Sequence, residues 1–237
     1  MENLLSILPV LATDLSLTDF TFWIGFAAML ASTMFFFSAM NMVADKWKTS
    51  MLVSALITGI AALHYYYMRN AAMEGDITTA YRYVDWILTV PLMCVEFYLI
   101  LRPSGATKSL LWKLIALSTV MLVTGYFGEA GIGPLDAQLW GLVSGIAYFA
   151  IVAEIFFGGA SKLAASAGGN VAYAHKLLCR FVLIGWAIYP IGYMAGTEGW
   201  YSGIFGGLQM DVIYNIGDAI NKIGFGLVVY QLAVDSK

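Results

Sequence analysis

The chain has 237 residues, of which 60% are hydrophobic and only 11% charged, and its mean hydropathy is +0.78. A water-soluble domain carries about 25% charged residues, so this composition excludes one and describes an integral membrane protein. The net charge of −3 comes with no basic run, no phosphate-binding loop and no internal repeat, so nucleic-acid binding is excluded too.

A membrane-crossing helix needs about 20 apolar residues. Seven such stretches fit, at 20–43, 49–69, 78–101, 109–128, 137–158, 173–196 and 208–234. Short connections join them, so residues 1–237 read as one all-α domain, a seven-helix transmembrane bundle. The two cysteines, Cys94 and Cys179, fall inside spans, suggest neither a disulfide nor a metal site, and read as packing residues. Basic residues decide the orientation. With the N-terminus outside, Lys46, Lys48, Arg102, Lys108, Lys113, Lys162, Lys176, Arg180 and Lys237 all lie on the cytoplasmic side. The acids Glu2, Asp14, Asp19, Glu74, Asp76, Glu129, Asp136, Glu198 and Asp211 then lie outside. The expected topology has an extracellular N-terminus and a cytoplasmic C-terminus.

Ahead of the first span, Leu4 to Leu11 is a short apolar run broken by Pro9. Without a basic leader it reads as an interfacial segment rather than a cleaved signal. The first span contains no charge inside and reads as bundle wall. The second ends in Leu63-His64-Tyr65-Tyr66-Tyr67-Met68-Arg69, an aromatic and basic interfacial anchor, with His64 about one turn inside that end.

The third span is far more polar on one side. At 100° per residue, Glu96 falls about 20° past three full turns from Asp85 and about 16 Å along the axis. Thr89 and Arg82 fall within about 60° of Asp85, so all four side chains share a stripe. Such a stripe marks a route for ions or protons, because ionisable residues at this depth are costly and are kept for function. Pro91 frees the carbonyl of Ile87.

The fourth span closes in the glycine-marked turn Gly125-Tyr126-Phe127-Gly128-Glu129-Ala130-Gly131. On the fifth, Glu154 lies near the cytoplasmic end and reads as an interfacial acid. The Gly-, Ala- and Ser-rich stretch from Gly158 to Val171 reads as a flexible cytoplasmic linker. The sixth span carries Gly185-Trp186-Ala187-Ile188-Tyr189-Pro190-Ile191-Gly192-Tyr193. Trp186, Tyr189 and Tyr193 recur at helical spacing and, with Trp86, supply the parts of a flat aromatic box. Pro190 is expected to bend the helix at that level.

The seventh span places Asp218 and Lys222 four residues apart, on one face and about 6 Å apart along the axis. Lysine is a poor choice for a purely structural buried ion pair, but its easily shifted proton affinity suits imine chemistry. Arg82 and Lys222 against Asp85 and Asp218 make a neutral quartet. Glu96 is left without a partner, and because desolvation disfavours its charge it is expected to rest protonated.

The third span, the Gly185-to-Pro190 segment and the Asp218–Lys222 pair together resemble the microbial rhodopsin family. Leu63-His64-Tyr65, Tyr67-Met68-Arg69 and the Gly125-to-Gly131 turn are similar to its proteorhodopsin branch. The resemblance implies all-trans-retinal held as a protonated Schiff base on Lys222. It implies that Asp85 is the proton acceptor, Asp218 the second counterion, Glu96 the cytoplasmic proton donor and Arg82 the arginine beside the counterions. It further implies that Trp86, Trp186, Tyr189 and Pro190 line the retinal pocket and that His64 interacts with the acceptor. Tyr193, from the aromatic box, joins them as a candidate pocket residue. Met93 falls at the family's colour-tuning position. A carotenoid antenna is not expected, because Tyr148 is aligned where antenna-binding members have glycine.

The helix geometry sets a direction of transport: Asp85 is outward and Glu96 inward along the third span. The expectation is therefore an outward light-driven proton pump in the bacterial inner membrane, a transporter rather than an enzyme, assembled as a pentamer or hexamer. The alternative is a photosensory rhodopsin that signals through a partner protein. If Met93 faces the chromophore, Met93→Gln adds a dipole beside the polyene and moves the absorption maximum to shorter wavelength. An unchanged maximum in the reconstituted pigment would place Met93 away from it.

Overall fold

The computed structural model of the chain describes residues 16–236. The expected interfacial segment from Leu4 to Leu11, and the charges Glu2, Asp14 and Lys237, lie outside them. Seven helical stretches are long and apolar enough to cross a membrane. They are built from α1 (Leu17–Ala39), α2 (Asp45–Met73), α3 (Thr79–Leu101), α4 (Lys108–Glu129), α5 (Ala137–Phe157), α6 (Gly159–Ala167), α7 (Gly169–Arg180), α8 (Ile188–Gly196) and, after the short connecting α9 (Ser202–Phe205), α10 (Met210–Asp235). The fifth span runs through α5 and α6, and the sixth through α7 and α8.

Local chemistry starts two of these helices. Ser16 accepts a hydrogen bond from the Asp19 amide at 3.1 Å, and Asp136 accepts one from the Leu139 amide at 2.8 Å. Each side chain satisfies an amide that the first turn leaves unpaired. Consecutive helices α1 to α5 pack side by side, and α10 returns to lie against α1, α2 and the sixth span. Most of α3's buried face points into the bundle, with Arg82, Asp85, Thr89, Met93 and Glu96 all buried. The polar stripe on the third span is therefore interior.

Three expectations are corrected. α2 continues to Met73, so His64 lies more than two turns inside its end rather than one. At 29 residues the helix is about 43 Å long, more than the hydrocarbon thickness, so its last turns rise past the anchor residues. The stretch from Gly158 to Val171 is mostly helix rather than flexible linker. Alanine is the best helix former, and Ala160 and Ala164 are buried, so packing adds to propensity.

The third correction concerns the sixth span. Its break lies at Phe181–Ala187, ahead of Pro190 rather than at it. Residues Phe181–Gly185 form a π turn, in which the Trp186 amide donates to Phe181 O, five residues back, at 3.0 Å. The proline ring excludes the carbonyl of Trp186, four residues earlier, so the distortion accumulates upstream. Neighbours satisfy the carbonyls that the wide turn frees. Tyr148 donates to Val182 O at 3.0 Å and to Leu183 O at 3.1 Å, and Asn221 donates to Gly185 O at 2.9 Å. A Cβ at Gly185 would overlap Asn221, so glycine is required there.

Close approach decides a second glycine. A Cβ at Gly226 on α10 would collide with the Phe36 ring of α1. Gly226→Val should therefore cost about 1–3 kcal/mol by overpacking. The check is thermal unfolding in detergent, where a parent-like midpoint would contradict this contact.

Candidate functional site

The centre of the site is the amine of Lys222, which is 1% exposed. It donates to Asp85 Oδ2 on α3 at 2.5 Å and to Asp218 Oδ2, one turn earlier on α10, at 2.7 Å. Both carboxylates are fully buried. An isolated ion at this depth is expensive, and an opposite charge within hydrogen-bonding distance offsets much of the cost.

The two carboxylates are held differently. Asp218 accepts from three side chains: Lys222, Tyr65 (3.2 Å, to Oδ2) and Tyr189 (2.7 Å, to Oδ1). Asp85 accepts only from Lys222 among the described residues, and its Oδ1 has no partner. One carboxylate is bonded by three side chains and the other by one.

One expected partnership of this cluster is corrected. Arg82 does not join Asp85 and Asp218 in a neutral quartet. It pairs with Asp211 at 2.7 Å and lies 3.4 Å from Asn215 Oδ1. Asp211 is seven residues, about two turns, before Asp218, so it occupies the same face of α10 at the next level. Lys222 alone faces the two inner carboxylates. His64 lies near enough to Asp85 to act on it through its charge, as the resemblance implies, although no hydrogen bond joins the two. Its Nδ1 lies 2.9 Å from Ile60 O, one turn back on α2, and the ring is only half-buried. The adjacent Tyr65 is the one that points inward.

Thr89 is fully buried on the expected face, but its hydroxyl donates to the Asp85 carbonyl at 2.9 Å and not to the carboxylate. Such back-bonding to the preceding turn is ordinary for threonine in a helix. Glu96, fully buried, has the buried hydroxyls of Ser54, at 3.2 Å, and Ser50 beside it, and no charged partner among the described residues. Glu154 is different: it is bonded to Lys113 at 3.0 Å near the end of the bundle, as the interfacial reading expects.

Beside the charged cluster is an apolar cavity of about 540 Å³. Its walls include Trp86, Trp186, Tyr189, Pro190 and Tyr193, together with Tyr148. Trp86 packs edge-on against Tyr189, with ring centroids 4.8 Å apart. Tyr189 joins the two halves of the site, since its ring lines the cavity while its hydroxyl holds Asp218. Met93 is buried in the main core and is not on the cavity wall. The volume and lining suit a largely apolar ligand, and the buried lysine amine beside Asp218, the carboxylate that Tyr189 bonds, is a group able to form an imine.

Several site residues were missed in the sequence. Asn215 and Asn221, three residues either side of Asp218, are buried amides inside a span, a costly placement that could have marked them. Tyr65 was hidden in an aromatic run. Thr21 contradicts the reading of the first span as plain wall, because it accepts from Asn215 at 3.1 Å. Ser54 carries no sequence signal, since serine is common in membrane helices.

The chain matches the family model described as bacteriorhodopsin-like protein over residues 16–236. It is 43% identical over 227 residues to the blue-light absorbing proteorhodopsin of Gamma-proteobacterium Hot 75m4, covering 93% of this chain and 89% of that one. It is equally 43% identical, over 226 residues and with the same coverage, to the green-light absorbing proteorhodopsin of Gamma-proteobacterium EBAC31A08. The crystal structure of blue light-absorbing proteorhodopsin from Med12 superposes with a TM-score of 0.77 at 40% identity, covering 94% of this chain and all of that one.

Proposed function

We propose that this chain, which belongs to the bacteriorhodopsin-like family, is a light-driven outward proton pump of a bacterial cytoplasmic membrane. Residues 1–237 act as one retinal-binding membrane domain, a transporter and not an enzyme. The single observation that carries the reading is the Lys222 ammonium lodged between Asp85 and Asp218, with the lone carboxyl Glu96 further along the same face of α3. The basic residues Lys46, Lys48, Arg102, Lys108, Lys162 and Lys176 cluster at the Glu96 end of the bundle, which supports a cytoplasmic assignment for that end.

Retinal, when bound through Lys222 Nζ, would supply a light-absorbing polyene whose excitation weakens that nitrogen's hold on its proton. The residues fit such a group. The cavity is large and aromatic, and the amine that would hold it is dry and within reach of two carboxylates. Trp86, Trp186, Tyr189, Pro190 and Tyr193 confine the polyene and exclude water, and the colour-tuning role of Met93 stays part of the proposal. A carotenoid partner is not included, because the Tyr148 ring is pinned on the wall by its bonds to α7–α8. A homo-oligomer of five or six copies rests on the family resemblance.

The chain's own groups then set the direction. Asp85 takes the proton from Lys222 Nζ, having fewer protein donors than Asp218 and the shorter bond to that nitrogen. Asp218, bound by two tyrosines, stays as the fixed negative charge that keeps the Lys222 nitrogen oriented. Glu96 returns a proton to Lys222 Nζ from the other side, with Ser54 orienting its carboxyl. Arg82 lies beyond the acceptor, where its charge assists onward release, and Thr89 stiffens the turn between the two levels of α3.

Illumination of retinal-loaded cells should acidify the medium, and a protonophore should abolish the change. Lys222→Ala should lose both the visible band and the response, and a coloured Lys222→Ala protein would contradict attachment at this residue.

Glu96→Gln keeps shape and hydrogen bonding but has no proton to give. Colour and the first deprotonation should be unchanged, while reprotonation becomes slow and dependent on bulk pH. Added azide, a small acid, should restore part of the rate. Flash photolysis from neutral to alkaline pH decides this, and a parent-like reprotonation rate throughout would rule out the donor role.

A further inference from the structure

Arg82 is held on the side away from the acceptor. Its Nη2 donates to Asp211 Oδ1 at 2.7 Å, and Thr78 donates to the same oxygen at 3.2 Å. Both terminal nitrogens lie 3.4 Å from Asn215 Oδ1, and Asn215 is itself tied to Thr21 of α1 at 3.1 Å. The guanidinium lies over the Tyr214 ring at 4.9 Å and the Phe22 ring at 5.6 Å. None of its hydrogen bonds goes to Asp85 or Asp218, although Asp85 is only three residues away on the same helix. The Arg82 side chain is 4% exposed and that of Asp211 is 44% exposed, so the pair draws a buried cation toward the bundle's end.

We infer that Asp211 is a positioning residue: through Arg82 it keeps a positive charge off the proton acceptor, so that Asp85 can hold a proton. The inference rests on the reading of Asp85 as acceptor. The charged and titratable groups around Asp85 are Lys222 and Asp218 on α10, Tyr65 and His64 on α2, Tyr189 on α8 and Arg82 on its own helix. Only Arg82 among them is a cation tethered elsewhere by a half-exposed partner. With the tether cut, the flexible side chain can turn toward Asp85 and Asp218, where two negative charges face a single ammonium. A cation brought within hydrogen-bonding reach stabilises the ionised carboxylate.

The test is an absorbance titration of the retinal-loaded chain in the dark, in which the acid-induced colour change reports protonation of Asp85. In Asp211→Asn that transition should move to lower pH by about one unit. Asp211→Glu, which keeps the charge, should titrate like the parent. In an Arg82→Gln background, Asp211→Asn should produce no further shift, because the effect travels through the arginine. An unmoved transition in Asp211→Asn, or a shift of equal size in the Arg82→Gln background, would overturn the inference. A parent pigment without any acid transition would instead remove the assignment of Asp85 as acceptor, on which the inference stands.

Discussion

An ammonium sealed inside a membrane bundle must be met by opposite charge, and Lys222 is met by Asp85 from α3 and Asp218 from its own helix. That requirement fixes the rotation of both helices, because turning either by one residue would swing its carboxylate about 100° away. It also makes a ring of secondary partners necessary, since a charge out of water needs its remaining hydrogen-bonding capacity filled. Tyr65 and Tyr189 fill it at Asp218, and they bring α2 and α8 into the same constellation.

The two carboxylates beside Lys222 are held asymmetrically. Asp85 has one protein donor, Lys222, while Asp218 has three, which is the difference on which the proposed acceptor role of Asp85 rests. Glu96 continues the same logic on the other side of Lys222. It is buried, without a charged partner among the described residues, and flanked by the hydroxyls of Ser54 and Ser50. Three carboxyls in one interior thus have three different surroundings.

The broken sixth span links the charged cluster to the apolar cavity. An unbroken helix would have no free carbonyls for Tyr148 and Asn221, and its tryptophan and tyrosine would project at regular intervals. The π turn re-aims Trp186 and Tyr189 into the cavity, and Asn221 anchors the turn from the residue next to Lys222. Any change at that turn is mechanically close to the amine, although the two lie on different helices.

The number of spans, the interior face of α3 and the Asp218–Lys222 pair were all readable from the chain alone. They follow from local periodicity and from the cost of an ionisable group in hydrocarbon, which leaves few reasons for such residues except function. The aromatic box was readable for the same reason, as Trp186, Tyr189 and Tyr193 recur at helical spacing. Partner choice was not. Arg82 goes to Asp211 rather than to the inner carboxylates, Tyr65 hydrogen-bonds Asp218, and Thr89 bonds its own backbone. The neutral quartet failed because charge balance counts ions, whereas pairing depends on which side chains from different helices reach the same level. The linker that became α6 and the break upstream of Pro190 were likewise decided by burial against neighbouring helices. The sequence by itself determined which residues enter the interior, because insertion energy is local. Only the tertiary structure decided who meets whom, because hydrogen bonds act over about 3 Å between atoms that the chain separates by many residues.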